Sequence, residues 1–236
     1  MSEPMLSVEN LHVYYGGSHV IKGASLTLGS GIITVVGRNG MGKTTIAKAI
    51  MGLVRPREGE IRFKGRSIVG LPPHKIAALG IGYVPQGRRV FTSLTVDEHL
   101  RFAARPSKQG GWTADKVYEL FPRLLDRKNQ SGTTLSGGEQ QMLAIGRALV
   151  LNPSLLVMDE PSEGLAPVVV DQLISACESL VNSGMSILLI EQNLRFATAV
   201  AENTHVVVTG QVAYNGSIKE LLSDQDLTRR YLGVGV

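Results

Sequence analysis

The segment Gly37–Thr45, G-R-N-G-M-G-K-T-T, constrains this chain more than any other. It fits the spacing G-x-x-x-x-G-K-[ST], which works only between a strand and a helix. The apolar run I-I-T-V-V (32–36) supplies the strand, and residues 43–51 read as the helix. Glycines let backbone N–H groups curl around an anion without Cβ clashes. The helix N-terminus adds partial positive charge. In such a loop Lys43 reaches the β- and γ-phosphates of a nucleotide, and the Thr44 hydroxyl ligates Mg²⁺.

The flanking pattern agrees. Strands and turns fill residues 6–35, R-E-G-E-I-R-F-K-G-R is a turn and a strand, and I-G-Y-V-P-Q is a short strand stopped at Pro85. From about 95 to 150 the periodicity is helical, interrupted by a polar loop, R-P-S-K-Q-G-G-W, ending at Trp112. L-L-V-M-D-E, a helix over 167–182, the strand I-L-L-I, two strands in H-V-V-V-T-G-Q-V-A-Y and a helical tail complete the chain. Strands alternating with helices at both ends imply a parallel α/β sheet carrying a helical insertion. The predicted organisation is one domain: residues 1–86 and 151–236 form the core, and 87–150 the helical subdomain.

Two carboxylates end the strand L-L-V-M-D-E. Beside a phosphate loop, Asp159 would hold the hydration shell of Mg²⁺, and Glu160 would accept a proton from an attacking water. Neighbouring strand side chains point to opposite faces, so the two acids can divide the work only where the strand ends, before Pro161. L-S-G-G-E-Q-Q (135–141) opens a helix: Ser136 and Glu139 form a capping box, and Gly137 and Gly138 leave bare N–H groups for a second anion. One nucleotide does not need two such sites on one chain, whereas two chains facing each other could use one from each. The strand I-L-L-I ends in Glu191, Gln192 and Asn193; Gln192 either caps the strand or stands where a ligand site belongs.

Bulk composition excludes several classes. At 236 residues and 43% hydrophobic, the chain has ample core. The single cysteine, Cys177, falls on the apolar stripe Val170, Leu173, Ile174, Cys177, Leu180 and Val181, so it reads as a core residue and no internal disulfide can form. The start, M-S-E-P-M-L-S-V, is not that of a signal peptide, and no apolar run reaches the ~20 residues of a membrane span. Net charge of +4 is spread along the chain, as on a solvated basic surface, and no nucleic-acid partner is expected.

The ordered set of Gly37–Thr45, Gln86, L-S-G-G-E-Q, L-L-V-M-D-E-P-S and I-L-L-I-E-Q-N resembles the ATP-binding-cassette (ABC) ATPase family from end to end. The resemblance implies that family's phosphate-loop fold: a mainly parallel RecA-like sheet, an N-terminal antiparallel β subdomain and an inserted helical subdomain. It implies ATP and Mg²⁺ as ligands, with Tyr15, Gly37, Asn39, Gly40, Gly42, Lys43, Thr44, Thr45, Gln86 and Asp159 around the nucleotide. Thr44, Gln86 and Asp159 would serve the metal. Ser136, Gly137 and Gly138 would meet ATP across a head-to-tail dimer, and Ser162 would make an interface contact, although P-S-E-G-L departs from the S-A-L-D common in exporters. Glu160 and Gln192 would be catalytic. Gln192 stands where most of the family has histidine. An amide can orient a water or donate to a phosphate, but it cannot carry a proton near neutral pH, which leaves Glu160 as the base.

V-P-Q-G-R-R-V-F (84–91), L-T-V-D-E-H-L (94–100), Y-E-L-F-P-R-L (118–124) and D-E-P-S-E-G-L-A-P (159–167) are similar to the shorter, LivF-type ATPase subunit of branched-chain amino acid importers. Urea and short-chain amide importers share nearly all of this pattern. The resemblance implies transmembrane permease subunits, a second ATPase subunit (the importers use two different ones; a homodimer could form in isolation), an indirectly engaged periplasmic solute-binding protein, and a peripheral place on the cytoplasmic face of a bacterial inner membrane. One of Arg88 and Arg89 either docks a membrane-subunit helix or lies free on the surface. An ABC ATPase acting on nucleic acid is disfavoured by the single cassette, and a non-hydrolytic binder by Glu160.

Overall fold

A computed structural model of the chain describes residues 3–104 and 111–232; residues 105–110 of the loop predicted before Trp112 lie outside it. The chain opens with a hairpin, β1 (Leu6–Tyr15) and β2 (Ser18–Leu28), turning at Gly16–Gly17. Then come β3 (Ile32–Val36), α1 (Lys43–Ile50), β4 (Glu58–Phe63), β5 (Arg66–Ser67), α2 (Pro73–Leu79) and β6 (Ile81–Val84). Among the described residues four α-helices follow: α3 (Val96–Ala103), α4 (Ala114–Leu120), α5 (Pro122–Asp126) and α6 (Gly137–Leu149). The chain returns through β7 (Leu155–Asp159), α7 (Pro167–Asn182), β8 (Ser186–Glu191), α8 (Leu194–Val200), β9 (Asn203–Val208), β10 (Gln211–Ser217), α9 (Ile218–Ser223) and α10 (Gln225–Leu232).

The strands make two sheets, an antiparallel one in the order β2-β1-β4-β5 and a mainly parallel one in the order β10-β9-β3-β8-β7-β6. In the second, only β10 runs antiparallel to its neighbour. Crossover helices cover both faces, which is why β7 and β8 are near-continuous apolar runs. Leu155, Val157, Leu188 and Ile190 pack with Ile46 and Ile50 of α1 and with the antiparallel sheet. Leu156, Met158, Ile187 and Leu189 face Leu173, Cys177 and Leu180 of α7 and the helical block. Each such side chain adds roughly 1.5–3 kcal/mol when fully buried. A one-residue slip of β7 would exchange its two faces and bring Asp159 out of line with the loop after β3.

The helix predicted over 43–51 ends one residue early, with Met51 as its C-cap, and the helix predicted over 167–182 is α7. Burial pushes the Cys177 thiol up to about 12, so it is a core residue and not a nucleophile. Trp112 is half-buried against the helical core. No helix among the described residues is long and apolar enough to cross a membrane.

Candidate active site

The carboxyl ends of four adjacent parallel strands converge, the place where open α/β sheets bind ligands. The glycine loop follows β3, Gln86 follows β6, Asp159 and Glu160 end β7, and Glu191 and Gln192 end β8. Register fixes their relative heights: Val36 lies opposite Glu191, and Asp159 opposite Ile190.

At two points in the loop both backbone conformation and lack of space demand glycine. Gly37 and Gly42 have φ of 154° and 102°. A Cβ on Gly37 would run into the Val207 carbonyl, and one on Gly42 would meet Ile21 Cδ1 at 2.6 Å. The loop delivers Lys43, 3% exposed, whose Nζ donates to the carbonyls of Gly37 at 2.8 Å and Arg38 at 3.1 Å and pairs with Glu160 Oε1 at 3.0 Å. A cleft of about 270 Å³ is lined by Val20, Asn39, Gly40, Gly42, Lys43, Thr44, Thr45, Gln86 and Glu160. The fold therefore gathers most of the predicted nucleotide residues around one volume.

Asp159 is buried, 1% exposed, and accepts from the Thr44 hydroxyl at 3.0 Å through Oδ1 and from the Tyr83 hydroxyl at 3.3 Å through Oδ2. Burial, the largest cause, pushes its carboxyl above the ordinary range, while the Thr44 and Tyr83 hydrogen bonds pull it down. A hydroxyl and a carboxylate in contact beside a phosphate loop form a hard-oxygen pair that suits Mg²⁺, which usually takes few protein ligands and the rest from phosphate and water. Bound there, Mg²⁺ would neutralise charge on the phosphates.

Glu160 solves the alternation problem by its backbone. Its φ is 49°, in the left-handed region, and its N–H still donates to the Ile190 carbonyl at 2.8 Å. That twist releases its side chain from the strand's alternation, so it reaches Lys43 Nζ on the loop whose Thr44 holds Asp159. Gln86 Nε2 donates to Glu160 Oε2 at 3.2 Å and to Glu163 Oε2 at 2.9 Å.

At the end of β8 the sequence focused attention on Gln192, but Glu191 does more of the structural work. It is 2% exposed, and its carboxylate accepts three backbone N–H groups at 2.9 Å each: Ser162 on Oε1, and Gln192 and Asn193 on Oε2. Burial nevertheless pushes its carboxyl up, against those hydrogen bonds. Gln192 is exposed and shares a cleft of about 370 Å³ with Asn39, Glu160 and Ser162. An acid closing an apolar strand was the signal for Glu191; the loops it ties together are distant in sequence.

The start of the L-S-G-G-E-Q segment stands apart, although its last residue, Gln140, borders a cleft with Glu160 and Glu163. Ser136 caps α6, its Oγ accepting from Glu139 N–H at 3.3 Å while Glu139 Oε2 accepts from Ser136 N–H at 2.8 Å. The Ser136 hydroxyl proton stays available to a ligand. Gly138 is buried, and a Cβ there would meet Val169 at 2.9 Å. Neither Ser136 nor the two glycines lines the clefts around Lys43 and Gln192. Tyr15, 45% exposed, ends β1 opposite Ser18; Val20 of the same hairpin lines the phosphate cleft. Tyr14 stacks on His19 at 4.0 Å and lies under Arg57 at 4.3 Å. Arg88 is half-buried, donating from Nη2 to the Glu163 carbonyl at 3.0 Å, whereas Arg89 is exposed.

A glycine loop opening a helix from a parallel strand, a buried aspartate on the loop's threonine and a glutamate beside its lysine define a phosphate-loop nucleoside triphosphatase. Residues 21–163, more than half of the chain, match the ABC transporter family, and the chain belongs to it. A high-affinity branched-chain amino acid transport ATP-binding protein, BraG of Pseudomonas aeruginosa, is 40% identical over 97% of this chain and all of its own length. A probable branched-chain amino acid transport ATP-binding protein, LivF of Archaeoglobus fulgidus, is 35% identical over 98% and 99%. The lipopolysaccharide export system ATP-binding protein LptB of Escherichia coli is 34% identical over 97% of each. A crystal structure of the ADP conformation of an ATP-binding cassette superposes with a TM-score of 0.83 at 27% identity, covering 98% of this chain and 99% of that one. The chain is thus an ATP-hydrolysing component of an ABC transporter, with the fold that its motifs implied.

Proposed function

We propose that this chain powers uptake of branched-chain amino acids as one of two ATPase subunits, bound to separate transmembrane permease subunits at the cytoplasmic face of a bacterial inner membrane. The observation that carries this is the likeness to BraG, which runs the length of both chains. In this reading Lys43 and the loop amides bind the phosphates of ATP. Thr44, Gln86 and Asp159 hold Mg²⁺, Tyr15 stacks on adenine, and Asn39 and Thr45 complete the pocket. Glu160 takes a proton from the attacking water, and Gln192 orients that water. Ser136, Gly137 and Gly138 serve the ATP of the facing subunit, which accounts for their separation from Lys43. Residues 87–150 act as a subdomain inserted into the core, and Arg89 is the arginine left exposed to dock a permease helix.

The likeness to LptB supplies a second reading, export of lipopolysaccharide. Urea and short-chain amides are further candidate solutes. Copurification with candidate permease subunits, followed by ATPase assays with the solute-binding protein, separates these. Stimulation by leucine, isoleucine or valine is expected. Stimulation by urea, amides or lipopolysaccharide alone would reassign the solute.

A further inference from the structure

We propose that Glu163 is a positioning residue that sets the orientation of the Gln86 amide for the metal, an inference resting on the site reading above. Gln86 Nε2 carries two N–H groups, and both are committed to acids, one to Glu163 Oε2 at 2.9 Å and one to Glu160 Oε2 at 3.2 Å. A flipped amide would set its oxygen against two carboxylates, so the pair of acids dictates which end faces which way. With the nitrogen committed to the acids, the amide oxygen is the end left to act as a hard ligand. Gln86 lines the phosphate cleft with Lys43 and Thr44.

Glu163 itself is exposed, but its backbone is fixed on both sides. Its N–H donates to the Glu160 carbonyl at 3.2 Å, and its carbonyl accepts from Arg88 Nη2 at 3.0 Å. The preceding residue is pinned by the buried Glu191 carboxylate through Ser162 N–H at 2.9 Å. The carboxylate is thus presented to Gln86 by an ordered turn. Glu160 alone supplies one of the two contacts, so without Glu163 one N–H is freed and the amide can rotate.

The test uses the full chain loaded with a non-hydrolysable ATP analogue, with Mn²⁺ affinity read by electron paramagnetic resonance. Glu163→Ala should weaken Mn²⁺ binding roughly 10-fold, the low end for loss of a residue that orients a metal ligand. Glu163→Gln, which keeps an acceptor oxygen, should restore most of it. Binding of the analogue without metal should be unchanged in both. Gln86→Ala should weaken Mn²⁺ binding to a similar extent, and adding Glu163→Ala to it should cost nothing more. Parent-like Mn²⁺ affinity in Glu163→Ala, or a full additional loss in the double variant, would overturn the proposal. If Gln86→Ala leaves Mn²⁺ affinity intact, Gln86 is not a metal residue, and the site reading fails together with the inference.

Discussion

Lys43 Nζ lies 3.0 Å from Glu160 Oε1, with the two side chains 3% and 10% exposed. The cation assigned to phosphate and the carboxylate assigned to water hold each other. In that assignment an incoming γ-phosphate would compete with Glu160 for Nζ, and binding of ATP would free the carboxylate for its own work. A nearly buried pair of this kind is costly to break from one side only, because the remaining charge is left unpaired.

From this pairing, Glu160→Gln should bind ATP more tightly than the parent while turning over about 10²–10⁴-fold more slowly, the usual span for loss of a general base. Calorimetric titration and phosphate release measure the two effects. Parent-like turnover would remove Glu160 from the chemistry. Lys43→Ala should abolish ATP binding; tight binding in that variant would contradict the assignment of the loop.

Gln192 is set by its neighbour. With Glu191 holding its N–H, the side chain lies in the cleft shared with Glu160. Gln192→Ala should lose most steady-state ATPase activity, and Gln192→His should keep part of it, since imidazole also donates to a phosphate or a water. A fully active alanine variant would reduce Gln192 to a strand end.

Glu191→Ala should destabilise the fold and disorder two loops at once. Three N–H groups lose their acceptor, and each left unsatisfied in a buried setting costs about 1–3 kcal/mol. Thermal unfolding should fall by several degrees, and ATPase activity should fall with it, because Ser162 and Gln192 are no longer pinned. An unchanged melting temperature would mean that water replaces the carboxylate without loss.

Much of this arrangement was legible in the sequence because its determinants are local. The glycine loop, the apolar runs of β7 and β8, the capping box at Ser136 and the stripe of α7 each follow from residues within a dozen positions of one another. Glu163 and Tyr83 were not legible. Glu163 lies 77 positions from Gln86 and Tyr83 76 from Asp159, and only the strand order brings each pair into contact. Glu160 presents a middle case: strand alternation predicted a conflict between the two acids, and the left-handed backbone at Glu160 resolves it.

The segment after Gln86 carries a pH-dependent fastening at His99. The ring is buried, 1% exposed; Nδ1 lies 2.7 Å from the Thr95 carbonyl, and Nε2 accepts the Phe91 N–H at 2.8 Å. Only a neutral imidazole with its proton on Nδ1 makes both bonds. Burial, the largest cause, and then the Arg147 charge hold the imidazole below the ordinary histidine value of about 6.5, while the Thr95 acceptor and the Glu98 charge pull the other way. The unfolded chain therefore takes up this proton first as pH falls. The stability supplied by His99 is present above about pH 6.5 and is lost as pH drops toward the folded value. Protonation also puts an N–H against the Phe91 N–H, so residues near Phe91 should open before the core does. Hydrogen exchange should show the Phe91 amide losing protection as the pH falls below about 6.5 while amides of β7 and β8 keep theirs. His99→Gln should melt lower than the parent at pH 7.5 but lose less stability on acidification. An equal loss in both proteins would place the acid sensitivity on another group.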